Sequence, residues 1–138
     1  MAEAVLDASA LVDLLFGNEI GHAVQRRVAG HVLHAPAHVD AEVLSASGRL
    51  HRSGAIEADD VEAMLVRLAA APIQRHPVAV LLIGAWTRRH QLRLADALYV
   101  ELAASRSLPL VTTDGRLRPV PVAEVVTARV AQDLLPVE

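Results

Sequence analysis

Four acidic residues, Asp7, Glu42, Asp96 and Asp114, stand where a fold could deliver side chains to one place. Asp7 closes the apolar run Ala4-Val5-Leu6, and Asp114 follows Pro109-Leu110-Val111-Thr112-Thr113. Glu42 and Asp96 fall in the opening turns of two segments with helical spacing. Gathered together they would make a pocket of hard oxygen ligands, which suits Mg²⁺ or Mn²⁺ and phosphoryl chemistry. Like charges resist such a gathering: two carboxylates about 4 Å apart repel by about 4 kcal/mol at an effective dielectric near 20. A cluster of this kind calls for a cation, or for protonation of some members. Mg²⁺ keeps several waters and takes only one or two protein carboxylates, and one such water can attack a phosphodiester. Ser9 and Thr112 sit two residues from Asp7 and Asp114, so their hydroxyls could orient the carboxylates or waters. Singly, each acid also has an ordinary reading as a helix cap or solvated charge. Asp96 is the sharpest single case, with apolar residues on both sides in Leu92-Arg93-Leu94-Ala95-Asp96-Ala97-Leu98-Tyr99.

The elements that must position these acids are legible in outline. Glu3 to Asp7 reads as a short buried strand, followed by a helix from about Ser9 to Phe16 with Ser9 as its N-cap. Further helices are expected over about Glu19–Ala29, Ala37–Arg52, Ala58–Ala70, Pro77–His90 and Ala95–Ser105. Short strands are expected at Val32–Ala35, Pro72–His76, Leu110–Thr112 and Ala123–Val126. Strands alternating with helices imply a parallel sheet flanked by helices. Ligands bind such sheets beyond the carboxyl ends of the strands, where Asp7 and Asp114 both fall.

Composition narrows the chemistry further. The 138 residues suit one domain spanning 1–138, with 53% hydrophobic residues for its core but only Phe16, Trp86 and Tyr99 as aromatics. The absence of Cys excludes disulfides, thiolate metal sites and a Cys nucleophile. All 13 basic residues are Arg, so a P-loop and Schiff-base chemistry are excluded, and so is a phosphorelay receiver with its pocket Lys. A net charge of −3 leaves no global field to attract nucleic acid. The longest apolar stretch, Val78 to Trp86, is too short to span a bilayer, and no signal peptide is visible, so a cytoplasmic protein is expected. Seven His invite a metal reading, but Pro36 parts His34 from His38, and the acids alone suit a hard cation. Asp13 reads as an exposed residue of the first helix, and Asp40 points away from Glu42.

Four stretches together resemble the PIN domain, specifically the VapC-type toxins of bacterial toxin–antitoxin pairs. They are Val5-Leu6-Asp7-Ala8-Ser9-Ala10-Leu11; Ala35-Pro36 followed by Asp40-Ala41-Glu42-Val43-Leu44; Leu94-Ala95-Asp96-Ala97-Leu98-Tyr99-Val100; and Leu108-Pro109-Leu110-Val111-Thr112-Thr113-Asp114 with Leu117. The resemblance implies a three-layer α/β/α sandwich and a metal-dependent endoribonuclease. By its motifs Asp7, Glu42, Asp96 and Asp114 would be the catalytic acids, with Asp7, Asp96 and Asp114 holding Mg²⁺ or Mn²⁺ and Ser9 and Thr112 in support. It also implies an inhibitory antitoxin partner and a homodimer. RNA would then be held locally, with Arg88, Arg89, Arg93, Arg116 and Arg118 as phosphate contacts. The helix over Ala58–Ala70, with Leu11, Leu14 and Leu15, is a candidate groove for an antitoxin helix. Two competing functions share the same residues: a catalytically silent PIN-like interaction module, and a metal-dependent phosphatase or DNA nuclease. The tail after Asp114, which runs through Pro119 and Pro121, is not assigned to a family element by these motifs.

Overall fold

A computed structural model describes residues 2–127. Five parallel strands form one sheet: β1 (Glu3–Leu6), β2 (Val32–Pro36), β3 (Ile73–His76), β4 (Leu110–Thr112) and β5 (Ala123–Val125), in the spatial order β3-β2-β1-β4-β5. Between them run α1 (Ala8–Phe16), α2 (Glu19–Val28), α3 (Val39–Arg52), α4 (Ala58–Ala70), α5 (Leu82–Trp86) and α6 (Leu94–Arg106). Ala4, Val5 and Leu6 of β1 are fully buried in succession, without alternation. That is the mark of a parallel strand covered on both faces.

The strand order places the helices. From β1 the chain steps outward to β2 and then β3, and then returns to the other side of β1 to lay down β4. Parallel crossovers are right-handed, so α1–α4 on the outward path lie on one face and α5–α6 on the return path on the other. The expected α/β/α layering is therefore present. The direction of winding reverses between β1 and β4, and in open α/β sheets the crevice beyond the strand ends at that point is where ligands bind.

Three local expectations are corrected. Ser9 is not the N-cap of α1: Asp7 has extended backbone (φ −90°, ψ 174°) and accepts the Ala10 N–H, while Ser9 lies inside the helix. The long helix expected from Pro77 to His90 is a 3₁₀ turn at Val78–Leu81 followed by the short α5. This segment buries only Leu81 and Ala85, while Val80, Ile83 and Trp86 face outward, so packing supports only a turn or so of helix. Leu11 and Leu15 are buried in the core beside Met64 and Leu68 and are not free to line a groove. Among the described residues no helix is long and apolar enough to cross a membrane.

Candidate active site

The register between β1 and β4 builds the floor of the site. Val5 pairs with Leu110 and Leu6 with Val111, so Asp7, one step on, faces Thr112. Asp7 is 6% exposed, and its carboxylate is ringed by neutral donors. Ser9 Oγ donates to Oδ1 at 2.7 Å, the Ala10 N–H donates to the same oxygen at 2.9 Å, and the Thr112 hydroxyl donates to Oδ2. Burial nevertheless pushes the Asp7 carboxyl up to about 6, against the pull of those three hydrogen bonds and with a further push from the charge of Asp114. Neutral dipoles orient this acid but do not supply the positive charge that its ionised form lacks.

Thr112 also accepts the Asp114 N–H at 3.0 Å, and Ser9 Oγ accepts the Thr113 N–H at 3.2 Å. The hydroxyls of Ser9 and Thr112 thus pin the ends of β1 and β4 together. Asp114 caps a 3₁₀ turn at Gly115–Leu117 and carries Arg116 on its carboxylate, with Nη2 at 2.5 Å and Nε at 3.0 Å from its oxygens. That guanidinium holds Asp114 below the usual carboxylate range.

Glu42 and Asp96 come from the first turns of α3 and α6. The Tyr99 hydroxyl, itself 2% exposed, donates to Glu42 Oε1 at 2.5 Å, and His38 Nε2 lies 3.2 Å from the same oxygen. His38 first, and then Tyr99, hold Glu42 below its ordinary range in spite of partial burial. Asp96 differs from the other three acids: among the described residues it has no hydrogen bond and no ion pair. Burial pushes its carboxyl up; Arg116 opposes that shift, while Asp114 and Glu42 add to it. Asp114 thus acts on both Asp7 and Asp96, and Glu42 acts on Asp96, so charge links the four predicted acids. As the side chains stand, no three described acids or imidazoles converge on a single ion position. Asp114 is turned to Arg116 and Glu42 to Tyr99.

The predicted phosphate contacts divide. Arg93 and Arg116 act electrostatically on Asp96 and Asp114. Arg88 is paired with Glu101 at 3.0 Å, and Arg89 lies over the Trp86 ring at 4.8 Å. Asp13 is not a free surface residue, since it accepts from the Thr113 hydroxyl at 2.7 Å and the Asn18 amide at 3.0 Å. His34 is buried between Glu3 and His76, whereas His38 joins the site. Tyr99 and His38 were missed as partners of Glu42, although the spacing held the signal: His38 precedes Glu42 by four residues, and Tyr99 follows Asp96 by three. An open groove of about 590 Å³ runs off beside Ser9 and Glu42, with Val12 and Arg49 in its walls.

The chain is similar to known proteins over most of its length. The sequence pattern of the PIN domain matches residues 4–123. A protein named ribonuclease VapC3, from Mycobacterium tuberculosis, is 53% identical over 116 residues, covering 83% of this chain and 85% of that protein. Ribonuclease VapC12 of the same organism is 38% identical over 113 residues, covering 82% and 88%. Among solved structures, PAE2754 from Pyrobaculum aerophilum superposes with a TM-score of 0.65 at 24% identity, covering 96% of this chain and 95% of that one. VapBC2 from Rickettsia felis, bound to a DNA fragment from its promoter, gives a TM-score of 0.62 at 12% identity, covering 90% and 98%. The backbone likeness supports the fold, and the sequence matches carry the assignment: the chain belongs to the PIN-domain family and, within it, to the VapC group.

Proposed function

We propose that this protein is an endoribonuclease that acts as the toxin of a toxin–antitoxin pair, hydrolysing RNA phosphodiester bonds at Asp7, Glu42, Asp96 and Asp114. Its relatives are named ribonucleases at up to 53% identity, and its site lies in the crevice where the sheet reverses. The observation that carries the reading is Asp96. It is a half-buried carboxylate with no hydrogen bond or ion pair among the described residues, pushed up by burial and by Asp114 and Glu42 against the charges of Arg116 and Arg93, in a site whose other acids are already oriented. Such an arrangement is electrostatically incomplete without a cation.

Of the four acids, Asp7 and Asp96 are the carboxylates not already paired with a basic side chain among the described residues, so they are assigned to Mg²⁺ or Mn²⁺, and two are enough for a hard cation that keeps several waters. Asp114 would join them once Arg116 lets go. A bound divalent ion would acidify a water and stabilise charge on the phosphate oxygens. The chain's own groups do the rest. Ser9, Ala10 and Thr112 hold Asp7 in one orientation, and Tyr99 and His38 hold Glu42 by Oε1, leaving Oε2 with no donor among the described residues. Arg116 and Arg93 are the cations nearest the acids and the first candidates to meet a phosphate.

The partner side follows the same reading. A cognate antitoxin would hold the enzyme inactive. A second copy is a further expected partner, and the exposed Val80, Leu82, Ile83 and Trp86 are the surface it would cover. The protein would work in the cytoplasm, among its RNA substrates.

The test is direct. Purified protein free of antitoxin is incubated with total cellular RNA, DNA and a phosphomonoester, with Mg²⁺ or Mn²⁺ present or chelated. Metal-dependent cleavage of RNA alone, lost in Asp7→Ala and Asp96→Ala, is expected. Cleavage of DNA or the monoester instead would move the reading to the competing hydrolases. Folded protein inert on every substrate would move it to the silent module.

A further inference from the structure

Glu42 is the acid with the most particular surroundings. Its helix, α3, lies on one face of the sheet, and the side chain that grips it belongs to α6 on the other. The Tyr99 hydroxyl donates to Oε1 at 2.5 Å from a position 2% exposed, where the phenol has few alternative acceptors. His38 Nε2 lies 3.2 Å from the same oxygen and 3.2 Å from the Ala95 carbonyl in the turn before Asp96. The Ala95 carbonyl is an acceptor, so Nε2 carries the proton and donates to it, with Glu42 Oε1 in close polar contact beside that bond. Among the described residues the other ring nitrogen, Nδ1, is buried with no hydrogen-bond partner. The His38 ring rests on the Tyr99 ring, with centroids 4.7 Å apart. Tyr99 therefore donates to Oε1 with His38 Nε2 close beside the same oxygen, and among the described residues no group donates to Oε2.

We infer that Tyr99 and His38 are positioning residues for Glu42: they fix Oε1 so that Oε2 alone is presented to the crevice. A free glutamate has three side-chain torsions to lose before it can act, and an acid displaced by an ångström loses much of its effect. Tyr99 removes that freedom from a rigid, buried place. His38 adds a close polar contact to Oε1 and, through its hydrogen bond to the Ala95 carbonyl, ties the start of α3 to the turn that carries Asp96. The two acids that come from helices are thereby set in fixed relation, just as Ser9 and Thr112 set the two that come from strand ends. The inference rests on the proposed function, since it assigns Tyr99 and His38 to the work of Glu42.

The experiment is steady-state cleavage of a short oligoribonucleotide by wild type, Tyr99→Phe, His38→Gln, Glu42→Gln and the double variant Glu42→Gln with Tyr99→Phe, with thermal midpoints measured for all. Phe keeps the ring that packs on His38 and removes only the donor. Tyr99→Phe is expected to lower kcat by about tenfold to a hundredfold, the range for a lost outer hydrogen bond to an active-site group, with KM within about twofold. In the Glu42→Gln background the same change should cost nothing further, because Tyr99 acts through that carboxylate. Wild-type kcat in Tyr99→Phe, or an equal fractional loss in both backgrounds, overturns the inference. If Tyr99→Phe unfolds, His38→Gln decides: reduced kcat at unchanged KM supports the assignment and wild-type kcat overturns it. If Glu42→Gln itself cleaves at the wild-type rate, the function proposed for this acid fails first, and the two failures are told apart.

Discussion

Asp7 and Asp114 face each other across the same crevice and are kept by opposite means. Asp7 is buried and surrounded by hydroxyls and an amide, none of them charged, and its carboxyl is pushed up to about 6. Asp114 stands at the rim in the grip of Arg116, whose full charge holds it below the usual carboxylate range. The contrast separates orientation from neutralisation. Around Asp7 the fold supplies direction and leaves a charge to be met from outside. Around Asp114 it supplies the charge through a solvent-exposed side chain that can swing away.

The largest effect expected from that contrast is in activity and stability together. Asp7→Asn should lower RNA cleavage by about a hundredfold or more, the scale seen when a group that meets transition-state charge is removed. It should also raise the thermal midpoint of the metal-free protein at neutral pH, because the amide retains the cap and sheds the buried charge. Asp114→Asn should cripple cleavage too but bring no gain in midpoint. An equal stabilisation by both would erase the distinction.

The pH dependence sharpens it. Below about pH 3.8, the ordinary Asp value, Asp7 is protonated in both the folded and unfolded chain, and above about pH 6 it is ionised in both. A folded carboxyl raised above its unfolded value costs stability as pH climbs through that window. The metal-free protein should lose on the order of 3 kcal/mol from this group between those limits. Chemical denaturation at a series of pH values checks it: Asp7→Asn should remove this part of the slope, and saturating Mg²⁺ should restore stability at pH 7 in wild type only.

Smaller effects follow at the supporting groups. Thr112→Val deletes the donor to Asp7 Oδ2 and should lower kcat by about tenfold to a hundredfold. Arg116→Ala should leave the thermal midpoint unchanged, as an exposed pair contributes little. It should, however, lower the Mg²⁺ concentration for half-maximal cleavage by a few fold, since Asp114 no longer has to be released. A higher metal requirement in that variant would mean that Arg116 assists the chemistry and does not compete with the cation.

The sequence exposes one kind of information more readily than another. The strands announce themselves as short apolar runs ended by acids or turns, so Asp7 and Asp114 could be placed at strand ends before any coordinates. The helix starts of α3 and α6 were equally visible. What the pattern could not hold is which donor turns to which acid. Tyr99 looks like a core aromatic, and it is one; that its hydroxyl meets Glu42 depends on α3 and α6 lying across the sheet edge from each other. Ser9 looked like a cap because serine caps well, but the preceding Asp7 reaches the Ala10 N–H first. Arg88, Arg89 and Arg116 were indistinguishable in the sequence, and only the fold gives Arg88 to Glu101, Arg89 to Trp86 and Arg116 to Asp114. The helix expected from Pro77 to His90 failed because its apolar residues do not all face one core.

The order of the strands also sets a schedule. The hydrogen bond from Thr112 to Asp7 joins residues 105 positions apart, and β4 enters the sheet beside β1 only after α1 to α6 have been made. A nascent chain on the ribosome carries Asp7, Glu42 and Asp96 well before Thr112 and Asp114 exist to close the crevice. An enzyme that cuts RNA is thus made, amid the RNA of its own translation, with its crevice left open until β4 has been synthesised.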